Sequence, residues 1–142
     1  MNFEKIFYNS YQRNVIDKSN LFFPLFYKNF INSSTFVKEA FKSTNMDRQK
    51  DMLEDSLRHL VDFASTKESS AFLQSLAIVH KKVNNIDNKM YDLWLNSIIA
   101  TIKEIDPDYN RNEMLAWKIM LSPGIEFMKE FSTSNLDLKL NA

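Results

Sequence analysis

Apolar positions recur along the chain at the spacing of helix faces. Phe3, Ile6, Phe7 and Tyr11 stand at i, i+3, i+4 and i+8 and predict a first helix over residues 3–12. After the polar stretch Asp17 to Asn20, the run LFFPLFYKNF is bulky enough to be buried on most sides. Pro24 fits it if it falls in the first turn of a helix, where no backbone N–H is needed. Asn32, Ser33 and Ser34 break the pattern, and Thr35 to Phe41 reads as a short, turn-rich piece ending in an aromatic. The cleanest helix covers 47–64, with Asp47 as candidate N-cap and Leu53, Leu57, Leu60, Val61 and Ala64 on one face. Gln49 lies one turn before Leu53 on that face. Past a polar connector, Ser65 to Ser70, the residues Leu73, Leu76, Ala77 and His80 form a stripe. A polar corner from Lys81 to Lys89 follows, relieved only by Val83 and Ile86. Met90 to Ile105 is a long apolar helix with Tyr91, Trp94, Leu95, Ile98, Ile99 and Ile102 inward. It stops before Asp106-Pro107 because the residue preceding proline disfavours the α region. The last helix runs from about Asn112 to Phe131, and Ser122-Pro123-Gly124 should kink it. Residues 1–131 are thus expected to form one domain, and 132–142 a flexible C-terminal tail.

Composition narrows this to an all-α fold. Among 142 residues there are one glycine and three prolines, where average usage predicts about 17 such residues. A chain so poor in turn residues cannot build a sandwich, barrel or hairpin array. Neither GxGxxG nor GxxxxGK[ST] can be written with a single glycine, so phosphate-cradling loops are excluded. Eighteen basic residues balance eighteen acidic ones, so no net field draws the chain to nucleic acid or an anionic membrane. The absence of cysteine removes disulfides, thiolate metal sites and a cysteine nucleophile. With neither a signal peptide nor an apolar run of membrane-spanning length, a cytoplasmic protein is expected. Mixed charge on the exposed faces fits a monomer or weak homodimer.

The chemistry-bearing residues are few. HExxH and ExxH are absent, and only two histidines are present, His59 and His80. His59 falls beside the main apolar stripe of its helix and reads as a boundary residue with one wet edge. His80 lies on the apolar stripe of its own helix, where neutral imidazole serves equally as a satisfied core residue or as a ligand. A lone histidine on an apolar face, opposed by a helix bearing Gln49 and Leu53 and by an aromatic segment with Tyr27 and Phe41, is the inventory of a haem pocket.

Seven ordered segments strengthen that reading: FYNSYQR, FYKNF with Phe41 fourteen residues after Tyr27, FKSTNMDRQKDML, LAIVH, YDLWL, EIDP and AWKIMLSPGIEFM. From Tyr8 to Met128 the chain resembles the bacterial haemoglobin and flavohaemoglobin branch of the globins in single-domain form. The resemblance implies a globin fold of six to eight helices, a three-over-three sandwich around a haem b (iron protoporphyrin IX) pocket. It implies His80 as iron ligand, Phe41 on the haem face, Tyr27 and Gln49 as distal donors, and Leu53 as a wall of the ligand site. Ile86 is then a haem contact in the corner after the proximal helix, and Tyr91 the tyrosine supporting the histidine. Dioxygen, nitric oxide and carbon monoxide become the expected ligands, with nitric oxide dioxygenation if a separate reductase recycles the iron.

The chain departs from flavohaemoglobins in four respects. The spacing from His80 to Ile86 is one residue longer, and that from Phe41 to Gln49 about two shorter. Neither Glu126 nor Glu130 matches the glutamate that polarises the proximal histidine. The flavin and nicotinamide domains are missing. A haem-free, globin-like interaction or signalling module is the alternative, with His80 simply buried.

Overall fold

The structure, a computed structural model, describes residues 1–82 and 86–141, with side chains described through Phe131. The described residues form helices α1 (Phe3–Tyr11), α2 (Ser19–Ile31), α3 (Thr35–Ala40), α4 (Met46–Thr66), α5 (Ala71–Lys82), α6 (Asn88–Ile105) and α7 (Arg111–Asn141), with no strand. A π-helical turn, Gln12–Ile16, joins α1 to α2. Helices α1, α4 and α5 form one layer and α2, α6 and α7 the other. The longest helix, α7, packs on α1, α4 and α5 across the layers, while α2 packs along α6. No helix among the described residues is long and apolar enough to cross a membrane. Val83 of the polar corner lies outside the described residues, and the expected tail, 132–142, lies beyond the described side chains.

Side-chain caps begin six of the helices in place of glycine and proline punctuation. Asn2 accepts from the Lys5 amide, Ser34 from Val37, Ser70 from Leu73, Asp87 from Lys89 and Asn110 from Glu113, all at 2.8–3.1 Å. At α4 the cap is Asn45, whose Oδ1 accepts from the Asp47 and Arg48 amides at 3.1 and 3.2 Å. Asp47 therefore sits inside the first turn, where its carboxylate complements the helix dipole. Caps of this kind contribute about 1 kcal/mol each.

Two other expectations change. Pro24 is the sixth residue of α2, beyond the first turn, so the Asn20 carbonyl loses its helical partner at an exposed position. The segment after Ser34 is a helix, α3, whose six residues are too few to show a period; Val37 is buried and Phe36 is 76% exposed.

The single glycine acts in packing. Helix α7 continues through Ser122-Pro123-Gly124, and a Cβ at Gly124 would stand 2.5 Å from Leu60 Cδ2 and 3.3 Å from Leu60 Cα. Helices α4 and α7 thus cross nearly backbone to backbone, with Leu57, Leu60, Leu121 and Ile125 buried about the crossing.

A buried polar network ties the start of the chain to the corner before α7. The Asn14 amide donates to Asp106 Oδ2 at 2.8 Å and to the Ser10 carbonyl at 3.0 Å. Arg13 pairs with Asp106 at 2.9 Å and also with Glu113. Trp117 Nε1 donates to Ser10 Oγ at 2.9 Å, beneath an edge-on contact with Phe7. Burial alone would raise the Asp106 pKa, but bonds from Asn14, Arg13 and the Asp108 amide outweigh it and bring the group to about 2.

Gly124→Ala should lower stability by about 1–3 kcal/mol through overpacking against Leu60, seen as a fall in thermal midpoint. At an unconstrained helix position the same change stabilises. The Asp106 contribution is fully present above pH 3.8 and lost as pH falls toward 2. Asp106→Asn should therefore destabilise by about 3 kcal/mol at pH 7, with the difference from wild type shrinking in melts at progressively lower pH.

Candidate functional site

The layers enclose a cavity of about 100 Å³. All seven candidate residues line it: Tyr27 from α2, Phe41 after α3, Gln49 and Leu53 from α4, His80 from α5, Ile86 from the corner and Tyr91 from α6. Residues from helices that are far apart in the chain thus converge on one space. The remaining wall is Phe30, Met52, Ser56, Leu60, Leu76, Met90, Trp94, Ile125 and Met128. Sequence reading did not single these out as site residues. Ser56 and Leu60 nevertheless continue the Gln49, Leu53 face by one and two further turns, a signal present in the spacing.

His80 is held in one orientation. Its Nδ1 lies 3.2 Å from the Tyr91 hydroxyl, and its carbonyl accepts from the Ile86 amide at 2.8 Å, which folds the corner back over the end of α5. Burial lowers the imidazole pKa to about 4, so the ring is neutral and carries one proton near pH 7. Burial also raises the Tyr91 phenol, which keeps it protonated. When Nδ1 carries the proton and donates to the Tyr91 oxygen, the Nε2 lone pair is left for the cavity. Glu126 pairs with Lys129 at 3.1 Å, and that lysine also reaches Asp92 at 2.8 Å, so Glu126 has a surface partner.

Across the cavity, the Tyr27 hydroxyl donates to the Gln49 backbone carbonyl at 2.9 Å. Its single proton is engaged, and the bond pins the first turn of α4 to α2. The Tyr27 ring also meets Phe41, at 6.0 Å between centroids, and Phe41 meets Phe30 edge-on at 5.6 Å. His59 stands outside the cavity, half-buried, stacked on Phe72 at 4.3 Å with Nδ1 2.9 Å from Ser70 Oγ. It is the boundary residue expected, and it fastens the cap of α5 to α4. The described residues contain no group of three or more His, Asp or Glu that could hold a metal ion, so His80 stands as a single donor.

Two layers of helices closing on one neutral histidine in an apolar cavity define the architecture of a globin. Comparison with known proteins gives the same answer. No family model matches the chain. A group 1 truncated hemoglobin of Tetrahymena thermophila is 33% identical over 82 residues, 58% of this chain and 63% of that protein's length. The crystal structure of a Pseudomonas aeruginosa protein, reported as structurally highly homologous to a human hemoglobin, matches with a TM-score of 0.83. Identity to it is 30%, over 92% of this chain and 98% of that one. The chain belongs to the globin family.

Neutral buried imidazole contributes stability that is complete above pH 6.5 and is lost as pH falls toward 4. The His80 ring resonances, followed by NMR in the haem-free chain, should stay at their neutral positions from pH 8 to about pH 5.

Proposed function

We propose that this globin holds haem b through His80 Nε2 and binds dioxygen and other diatomic gases reversibly in the cavity. The observation that carries the reading is the single neutral imidazole, its Nδ1 engaged by Tyr91, set in a space lined mostly by apolar side chains. The haemoglobin relationships of both matched proteins support it. The void is smaller than a porphyrin, so its walls must draw apart to admit one. Three of the wall residues, Met52, Met90 and Met128, are unbranched thioethers that repack at low cost.

Haem held there by His80 would supply a ferrous iron able to take up a diatomic gas. The chain's own residues set how well it does so. Tyr91 fixes the tautomer and the ring plane of His80. Leu53 and Phe41 exclude water from the opposite side. Tyr27 and Gln49 are the donors within reach of a ligand, and Tyr27 must release the Gln49 carbonyl before its proton can serve. Charge-assisted hydrogen bonds from such donors contribute about 1.5–3 kcal/mol each, and the tyrosine's share is reduced by the bond it gives up. The proposal extends to nitric oxide dioxygenation if a separate reductase restores the ferrous state.

The purified chain should be red, with a Soret band that His80→Ala weakens; a colourless protein that haemin cannot reconstitute would instead be an interaction module. In stopped flow, Tyr27→Phe should raise the dioxygen dissociation rate about three- to tenfold, and an unchanged rate would remove Tyr27 from the distal role.

A further inference from the structure

A second hollow, about 490 Å³, opens on the surface between the end of α2 and α3. Ile31 and Phe41 form its apolar floor, and Thr35, Lys38, Glu39 and Lys42 its rim. Phe41 is the one side chain among the described residues that lines both this hollow and the inner cavity. The two spaces therefore meet at a single aromatic ring.

That ring is lightly held. Phe41 follows the last residue of α3 and begins a short non-helical stretch that ends at the α4 cap, Asn45. Its ring makes the two aromatic contacts with Tyr27 and Phe30 and no hydrogen bond, so turning it about its side-chain torsions breaks no polar interaction. Its own amide donates to the Val37 carbonyl at 3.1 Å, and the stretch behind it is tied only by longer bonds, Lys42 to Glu39 at 3.3 Å and Thr44 to Phe41 at 3.2 Å. The neighbouring wall is stiffer. There the Tyr27 hydroxyl holds the Gln49 carbonyl at 2.9 Å, and Asn45 caps the same turn. Met52, 40% exposed, marks a competing opening on α4, but it stands on a continuous helix.

We propose that the outer hollow is the entry chamber for small, uncharged, apolar gas molecules and that Phe41 is the gate between it and the inner cavity. This deepens the gas-binding reading and rests on it, yet the gate is a property of the chain and can be tested without haem. Ile31 and Phe41 offer the apolar floor that a diatomic gas prefers to water. The Lys42–Glu39 pair, at 3.7 Å, lies on the rim and need not move.

Xenon is the probe for the protein as purified, followed by NMR at the Ile31 methyls outside the gate and the Leu53 methyls inside it. Both sets should shift under xenon pressure. Phe41→Trp and Thr35→Trp should slow exchange at Leu53, while Phe36→Trp, at an exposed position of α3 that lines neither space, should not. In the haem-loaded protein, the same two variants should slow carbon monoxide association after flash photolysis by about tenfold, equivalent to about 1.4 kcal/mol of barrier. Thr35 is exposed and outside the inner wall, so its variant carries the test if Phe41→Trp misfolds. Leu53 methyls blind to xenon, or equal slowing by Phe36→Trp, would overturn the gate. Loss of the gas-binding reading would appear separately, as a chain without a Soret band whose xenon response still follows Phe41.

Discussion

The crossing of α4 and α7 at Gly124 is the constraint on which the rest of the structure depends. With only a hydrogen in place of a side chain, the two backbones approach until Leu60 Cα would lie 3.3 Å from an added Cβ. That distance sets where Leu60 on one helix and Ile125 and Met128 on the other enter the cavity wall. A chain with one glycine has placed it where packing distance matters, and has left its turns to other chemistry. Helix caps of Asn, Ser and Asp do that work, and at the end of α4 a lysine, Lys67, takes the left-handed conformation at φ 62° that glycine would adopt without strain.

The cavity is built by convergence. Its wall comes from five helices and two corners, yet its polar residues are each held by a specific bond. Ile86 folds onto the His80 carbonyl, Tyr91 engages the His80 ring, and Tyr27 reaches the first turn of α4. The two tyrosines are both buried and both use their hydroxyls within the wall. They act on opposite sides: Tyr91 lies against Nδ1 of His80, while Tyr27 gives its proton to the Gln49 carbonyl.

Much of this was legible in the sequence because helix periodicity places side chains on faces. The stripe ending in His80 and the face bearing Gln49 and Leu53 followed from spacing alone, and the resemblance to globins joined them to Tyr27, Phe41, Ile86 and Tyr91, all of which line one cavity. What spacing could not carry was information about contacts between distant segments. Nothing in α7 says that Leu60 lies against Gly124. Asp47 reads as a cap as readily as Asn45, two residues earlier, because both side chains accept amide hydrogens. Helix α3 is shorter than two turns and shows no period. The pairing of Arg13 with Asp106 and Glu113 leaves no periodic signal, since it joins residues 93 and 100 positions apart.

That last network bears on the order in which the fold can be completed. Its members are supplied by the first 14 residues and by 106–117, so closing it joins residues up to 107 positions apart and carries the entropy of a very long loop. During synthesis, domains fold from the N-terminus as the chain emerges. Here the first helix is finished early but lacks partners for Arg13 and Asn14, which stay solvated until the corner before α7 appears. Helix α1 thus cannot complete its docking until the corner before α7 and the first turns of α7 have been made.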